Sequence, residues 1–233
     1  ATYAAMREMG KTFVLGRDID EAIKRSQGPV KSGVTYSYDM LGEAALTAKD
    51  AAGFMKSYEN AIARISEEAT APDIRDNPGI SVKLSALHPR YEEAQRERVM
   101  AELVPRLIKL ARAAKAGNMG LNVDAEEADR LDLSLDIIEA VLSDPELAGW
   151  DGFGVVVQAF GRRVGPVIDW LYALSEKLDR KIMVRLVKGA YWDTEIKRAQ
   201  VEGLEDFPVF TEKAATDVAW LSCAKRLLDM TDR

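Results

Sequence analysis

Ser81-Val82-Lys83-Leu84-Ser85 sets a lysine inside an otherwise apolar run. In an extended chain Ser81, Lys83 and Ser85 share one face, and Val82 and Leu84 the other. A lysine on the covered face of a sheet needs a ligand or a neighbouring acid, because an unpaired buried charge is costly. Asn122, Asp124 and Glu126 alternate in the same way and put up to three polar groups on one side. Carboxylates at Glu126 and Glu127 can also open a helix, where they offset its dipole. That reading is preferred for Glu127, whereas Asp124, still at a strand end, is read as functional. Gln158 closes the apolar run Gly154-Val155-Val156-Val157. A buried amide left without partners costs about 1–3 kcal/mol, so it calls for one, such as the amide-like edge of a flavin or pyrimidine ring. The densest stretch is Arg185-Leu186-Val187-Lys188-Gly189-Ala190-Tyr191-Trp192. Two cations leading into a glycine turn suit an anionic or electron-rich ligand. A cation beside a redox ring would also stabilise the negative charge that forms on reduction. The alternative is aromatic packing against a helix, with Arg185 paired to an acid.

These residues need strands to hold them. Val34–Leu41, Gly79–Leu87, Gly120–Asp124, Gly152–Phe160 and Lys181–Val187 are short, β-branched or aromatic, and mostly opened by glycine. Between them the apolar residues recur with helical spacing. Thr47 is set to cap a helix carrying Ala51, Phe54, Met55, Tyr58, Ile62 and Ile65. Tyr91–Ala116 reads as a helix with Val99, Leu103, Leu107 and Leu110 inward, bent at Pro105 and stopped at Gly117. Ala128, Leu131, Leu135, Ile138 and Leu142 form the clearest stripe. Further helices are expected over Val164–Leu178, Asp193–Glu202 and from Thr211 towards Met230. Before the first strand come two short helices, the second capped by Asp18 with Glu21 at capping-box spacing, and a break at Gly28–Gly33.

Five βα units in series give a parallel α/β sheet. No G-x-G-x-x-G follows any strand, so the dinucleotide fingerprint is absent. Polar residues gather instead at successive strand ends: Tyr38 and Asp39, Lys83, Asp124 and Glu126, Gln158, then Arg185 and Lys188. That is the rim of a (β/α)8 barrel, where such folds build their chemistry. A barrel of the TIM type is therefore predicted.

Composition narrows the partners. Of 233 residues 47% are apolar and 30% charged, which excludes disorder and a simple coiled coil. A net charge of −6 argues against nucleic acid as a partner. A lone cysteine, Cys223, cannot form an internal disulfide and reads as a small core residue of an intracellular chain. His88 is the only histidine, which disfavours a histidine-rich metal site; it reads as a loop-ordering residue. No apolar run reaches the roughly 18–20 residues of a membrane span, and the first residues lack a signal-peptide pattern. Length alone suggests one complete soluble domain. On residues alone three readings stay open: a flavin redox barrel, an aldolase-type barrel using a Schiff base on Lys83 or Lys188, and a non-catalytic barrel fragment.

Longer motifs decide between them. Tyr36-Ser37-Tyr38-Asp39-Met40-Leu41-Gly42-Glu43-Ala44-Ala45, Ser81 through Tyr91, Asn122-Val123-Asp124-Ala125-Glu126-Glu127, Val157-Gln158-Ala159-Phe160 and Arg185 through Arg198 closely resemble the proline dehydrogenase domains of bacterial proline utilization A. The likeness runs nearly end to end and includes Met6-Arg7-Glu8-Met9-Gly10. It implies a distorted (β/α)8 flavoenzyme that binds FAD and oxidises L-proline to Δ1-pyrroline-5-carboxylate. Hydride would pass from proline C5 to flavin N5, and electrons onward to a membrane quinone. Position by position, the resemblance makes Asp124 and Arg185 active-site residues that also touch the cofactor, with Arg185 near flavin N5. It gives Gln158 a contact to the isoalloxazine ring and assigns Lys188, Gly189 and Ala190 to the loop that holds FAD. Lys83 would face the substrate carboxylate, Ala125 and Tyr191 would line the pocket, and Glu43 would pair with an arginine gate. Charge pairing then replaces the Schiff-base role of Lys83.

The same resemblance alters the reading of length. At about 40 residues per unit, eight units need roughly 320, within the range of such barrels. Residues 1–33 are then an N-terminal helical arm and linker, and 34–233 the first five βα units of an incomplete barrel. The family's later strands, with a Thr-His-Asn-type FAD contact and paired arginines for the proline carboxylate, have no counterpart in this sequence, nor does its aldehyde dehydrogenase module. The expected location is cytoplasmic, with peripheral membrane association of the parent protein.

Overall fold

The computed structural model describes Gly10 and residues 13–233. The first predicted helix and Met6–Met9 of the N-terminal motif lie outside the described residues. The Asp18 carboxylate accepts the Glu21 amide and starts α1 (Ile19–Val30). The reciprocal capping-box bond is not made, because Glu21 turns its carboxylate to Arg17. α1 runs through Gly28 and Pro29, so the predicted break begins only at Lys31. Burial of Ala22, Ile23 and Ser26 holds the helix on the barrel and outweighs a proline in its last turn. A 2.7 Å bond between the Ser26 and Tyr38 hydroxyls fixes it to the first strand.

Among the described residues the sheet has five strands: β1 (Ser37–Asp39), β2 (Gly79–Val82), β3 (Leu121–Val123), β4 (Phe153–Gln158) and β5 (Met183–Val187). Every pair is parallel, and spatial order follows chain order from β1 to β5. A doubly wound sheet reverses direction partway, whereas an unreversed order is the wall of a barrel. The strands are shorter than predicted, since the chain leaves the ladder early to build the rim. Leu84–Leu87, expected to extend β2, instead forms one buried helical turn, α3.

Helices cover the outer face. α2 (Ala48–Ser66) starts at Thr47 with a complete capping box to Asp50 and buries Ala51, Tyr58, Ile62 and Ile65. α4 (Arg96–Ala116) passes through Pro105 and buries Val99, Leu103, Leu107 and Leu110 as predicted. It starts later than expected, after a short 3₁₀ turn at Glu93–Gln95. α5 (Leu131–Leu142) buries Ile138 and Leu142 of its predicted stripe and widens it with Leu133, Ile137 and Val141. Ala128 belongs to a 3₁₀ turn ahead of the helix, and Leu131 and Leu135, packed against the core, also line an apolar cavity of about 210 Å³ with Val155, Val157 and Val167. α6 (Val164–Lys177), α7 (Trp192–Glu202) and α8 (Lys213–Leu228) follow the predicted spans within two residues. Cys223 is buried in α8, as expected of a core residue.

Ile80, Val82, Leu121, Val123, Phe153, Val155 and Val157 point outward into this helical layer and are buried. Each buried aliphatic side chain there stabilises by about 1.5–3 kcal/mol, so the outer side of the sheet carries the core. The opposite face mixes polar side chains, Asp39, Ser81, Asn122 and Arg185, with Gly154, Val156 and Met183. Among the described residues no helix is long and apolar enough to cross a membrane, and no cluster of three or more His, Cys, Asp or Glu is set to hold a metal ion.

Candidate active site

The strand registers bring one residue of each strand to a common level on the inner face. Asp39, Ser81, Asn122, Gly154 and Met183 are mutual neighbours across the sheet. Gly154 leaves room for the Asn122 side chain there, because a Cβ would lie 2.0 Å from its amide oxygen. One level towards the rim stand Lys83, Asp124 and, beyond Val156, Arg185.

These side chains form one ion network. Lys83 Nζ donates to Asp39 Oδ2 at 2.7 Å and to Asp124 Oδ2 at 3.1 Å. Arg185 donates through Nη2 to Asp124 Oδ1 and through Nη1 to the Ser81 hydroxyl at 3.1 Å. Two carboxylates and two cations balance, and Asp124 serves both cations. Lys83 and Asp124 are only 14% and 13% exposed, which strengthens the pairing, whereas Arg185 is 40% exposed and open to a ligand. Burial alone would lower the Lys83 pKa. The bonds and charges of Asp39 and Asp124 outweigh it and hold the ammonium above its ordinary value. A Schiff-base lysine needs the opposite, a neutral amine at working pH, so the network disfavours the aldolase reading of Lys83. Lys188 is likewise engaged, 2.5 Å from Asp217.

Two loops close over the network. The Gln158 amide joins them: Nε2 donates to the Glu126 carbonyl at 2.9 Å, and Oε1 accepts the Ala190 amide at 3.1 Å. Gly189, at φ +136, sits against the Phe160 ring, where a Cβ would approach to 2.5 Å. Ala125 and Tyr191 are half-buried beside these loops. Burial, reinforced by the charge of Glu43, pushes the Tyr191 phenol up to about 12. Glu43 is exposed and forms no ion pair among the described residues, so its expected arginine partner is not found there.

The alternation read from sequence breaks at two points. Ser85 does not share the Lys83 face. It lies in α3, where its hydroxyl accepts the Ala44 amide. Glu126 turns away from Asp124 to accept the Ser85 amide at 3.0 Å, and burial pushes its pKa up. The early end of each strand causes both departures. Glu127 pairs with Arg130 at the start of the turn before α5, the helix-opening role preferred for it. His88 is buried and orders its loop, with Nδ1 accepting the Arg90 amide and Nε2 facing Glu102.

Sequence reasoning put Asp39 on the rim but gave it no role. Its register opposite Ser81, two residues before Lys83, is the signal that could have done so. Tyr58 was read only as core, yet its hydroxyl accepts the Lys83 amide at 3.2 Å. Glu195 on α7 was missed; buried, it accepts the Ala128 amide at 2.6 Å and ties α7 to the loop after β3.

Comparison with known proteins identifies the family. The family model described as proline dehydrogenase matches residues 22–233. The bifunctional protein PutA of Salmonella typhimurium is 55% identical over 224 residues, covering 96% of this chain and 17% of that protein. A crystal structure of a Bradyrhizobium japonicum proline utilization A mutant superposes with a TM-score of 0.89 at 55% identity, over 98% of this chain and 23% of that one. Proline utilization A from Bdellovibrio bacteriovorus, solved after inactivation by N-propargylglycine, gives 0.90 at 30% identity, over 98% and 25%. The chain thus spans about a sixth to a quarter of the length of these relatives. With its parallel barrel-type sheet and this match over nearly its whole length, the chain belongs to the proline dehydrogenase family.

Proposed function

We propose that this chain forms the flavin-facing part of an enzyme that oxidises L-proline to Δ1-pyrroline-5-carboxylate with FAD and delivers the electrons to a quinone. The observation that carries the reading is the Asp39–Lys83–Asp124–Arg185 network on the inner face of a proline dehydrogenase family sheet. It holds the Lys83 ammonium between two carboxylates and leaves the Arg185 guanidinium open to a ligand.

The residues present fit a flavin. Gln158 retains one amide hydrogen and one carbonyl lone pair beyond its two backbone bonds, enough to pair with the polar edge of a ring. Arg185 is open on the same face, and Lys188, paired with Asp217 but half-exposed, stands at the glycine turn within reach of a phosphate. When bound, FAD supplies the two-electron acceptance that no side chain here can provide. Arg185 and Asp124 would stand at the reacting face, Arg185 stabilising negative charge as it develops. Lys83 would take the proline carboxylate with its remaining ammonium hydrogen. Ala125 and Tyr191 would line the pocket and exclude water. Gly189 and Ala190 hold their loop to Gln158, with Glu43 near the mouth.

In the relatives this segment is part of a longer chain. On the same reading, residues 34–233 are the first five units of a barrel whose later strands, and an aldehyde dehydrogenase module, belong to the parent protein. Val218, Leu221 and Leu228, exposed on α8 beside β5, would pack against those strands. The parent would work in the cytoplasm and reach its quinone by peripheral contact with the membrane.

Product analysis tests the reading. The full protein incubated with proline and a quinone should yield a product two hydrogens lighter, with no lysine adduct trapped by borohydride. A trapped adduct on Lys83 or Lys188, without that product, would contradict it.

A further inference from the structure

Asp39 has two oxygens with two different tasks. Oδ2 holds Lys83 Nζ at 2.7 Å, closer than the 3.1 Å bond from Asp124. Oδ1 accepts, at 2.7 Å, the amide of Leu41, which itself lies in the left-handed region at φ +58. That conformation is costly for leucine, and the bond from Asp39 stabilises the turn containing it. Beyond the turn the loop folds onto α3, where Ser85 accepts the Ala44 and Ala45 amides, each at 2.9 Å. Tyr58 closes the circuit, donating to the Gly42 carbonyl and accepting the Lys83 amide. One carboxylate therefore sets both the ammonium of Lys83 and the loop that carries Glu43.

The strand order explains why two acids are needed. β2 lies between β1 and β3, so Lys83 is held from the β1 side by Asp39 and from the β3 side by Asp124. Asp124 is shared with Arg185, and Asp39 is not. A lysine stem is flexible, and its head is an undirected point charge until something orients it. Held from both sides, the head keeps one N–H for a ligand in the concave face.

We propose that Asp39 is a positioning residue for recognition of the substrate carboxylate, acting through Lys83 and through the turn at Leu41. The proposal rests on the functional reading above. Asp39 itself need touch neither proline nor the flavin.

The test compares Asp39→Asn with wild type in the full flavin-loaded protein. Asparagine can still accept the Leu41 amide but brings no charge to Lys83. KM for proline should rise about tenfold or more, the order of a lost charge-assisted hydrogen bond. Flavin content should be unchanged and kcat should hold within about threefold. Binding of a proline analogue bearing a carboxylate should weaken in parallel, whereas binding of the corresponding amide should not. Asp39→Glu keeps the charge and should give an intermediate KM; if the asparagine variant fails to retain flavin, this variant carries the test. Unchanged KM in the variant that retains flavin, a fall in kcat alone, or equal weakening of acid and amide would each overturn the proposal. Failure of wild type to be reduced by proline would instead sink the functional reading, so the two are separable.

Discussion

Arg185 and Asp124 meet across β4 although 61 residues separate them in the chain. Arg185 is level with Val156 on β4, and Asp124 follows directly on Val123, which is level with Val155. The guanidinium therefore passes over Val156 to reach the carboxylate, and a single acid links β5 to the Lys83 side of the site. Neutralising it should free Arg185 and leave Lys83 held by Asp39 alone. Asp124→Asn is expected to lower the rate of flavin reduction by proline by about 10²-fold or more, as for loss of a preorganised electrostatic contact. Anaerobic stopped-flow measurement checks this, and a rate within about threefold of wild type would show that the link is not needed.

Gly189→Ala addresses the loop after β5. The backbone sits at φ +136, and the new methyl would meet the Phe160 ring at 2.5 Å. Backbone strain alone costs about 1–3 kcal/mol, and the clash adds to it. The loop should shift, and Ala190 should lose its bond to Gln158. Purified protein should then contain less flavin per chain than wild type, read from the ratio of visible to ultraviolet absorbance.

Gln158→Leu keeps the approximate volume while removing both loop bonds. The Glu126 carbonyl and Ala190 amide lose their shared partner, at a cost of about 1–3 kcal/mol for groups left unsatisfied. Flavin affinity should fall and protease sensitivity in the two loops should rise together. Weaker flavin binding with unchanged loop protection would assign Gln158 to ring contact alone.

His88 makes stability depend on pH. Its ring is buried, and Nδ1 is occupied by the Arg90 amide, so protonation breaks a bond even though Glu102 faces Nε2. Burial holds its pKa below the ordinary value, with Arg106 and Arg98 acting in the same direction. The unfolded chain then binds a proton that the native chain does not, once pH falls through about 6.5. Stability should decline from there until the native ring also protonates. Thermal midpoints between about pH 5 and 7.5 should show this slope in wild type and a shallower one in His88→Asn. Equal slopes would contradict the assignment.

The helices and the sheet type were legible because their signals are local. Thr47 with Asp50 fixes the start of α2, and the spacing of Val99, Leu103, Leu107 and Leu110 fixes the face of α4. Polar residues at successive strand ends placed Lys83, Asp124 and Arg185 on one rim, and the structure joins all three. What stayed hidden depends on where strands stop. Two-residue alternation assigned Ser85 and Glu126 to the inner face, but the chain leaves the ladder before either. The role of Asp39 was hidden for a related reason. It rests on cross-strand register, which a single strand's pattern does not contain. The α5 stripe was legible in part: Ile138 and Leu142 are buried and Leu131 and Leu135 pack against the core, whereas Leu133, Ile137 and Val141 complete the buried face.

The most direct measurement is the visible spectrum of the full protein before and after anaerobic addition of L-proline. A flavin band should bleach with proline and return when a quinone is added. A flavin-loaded protein whose band is unchanged by saturating proline would contradict the proposed proline oxidation.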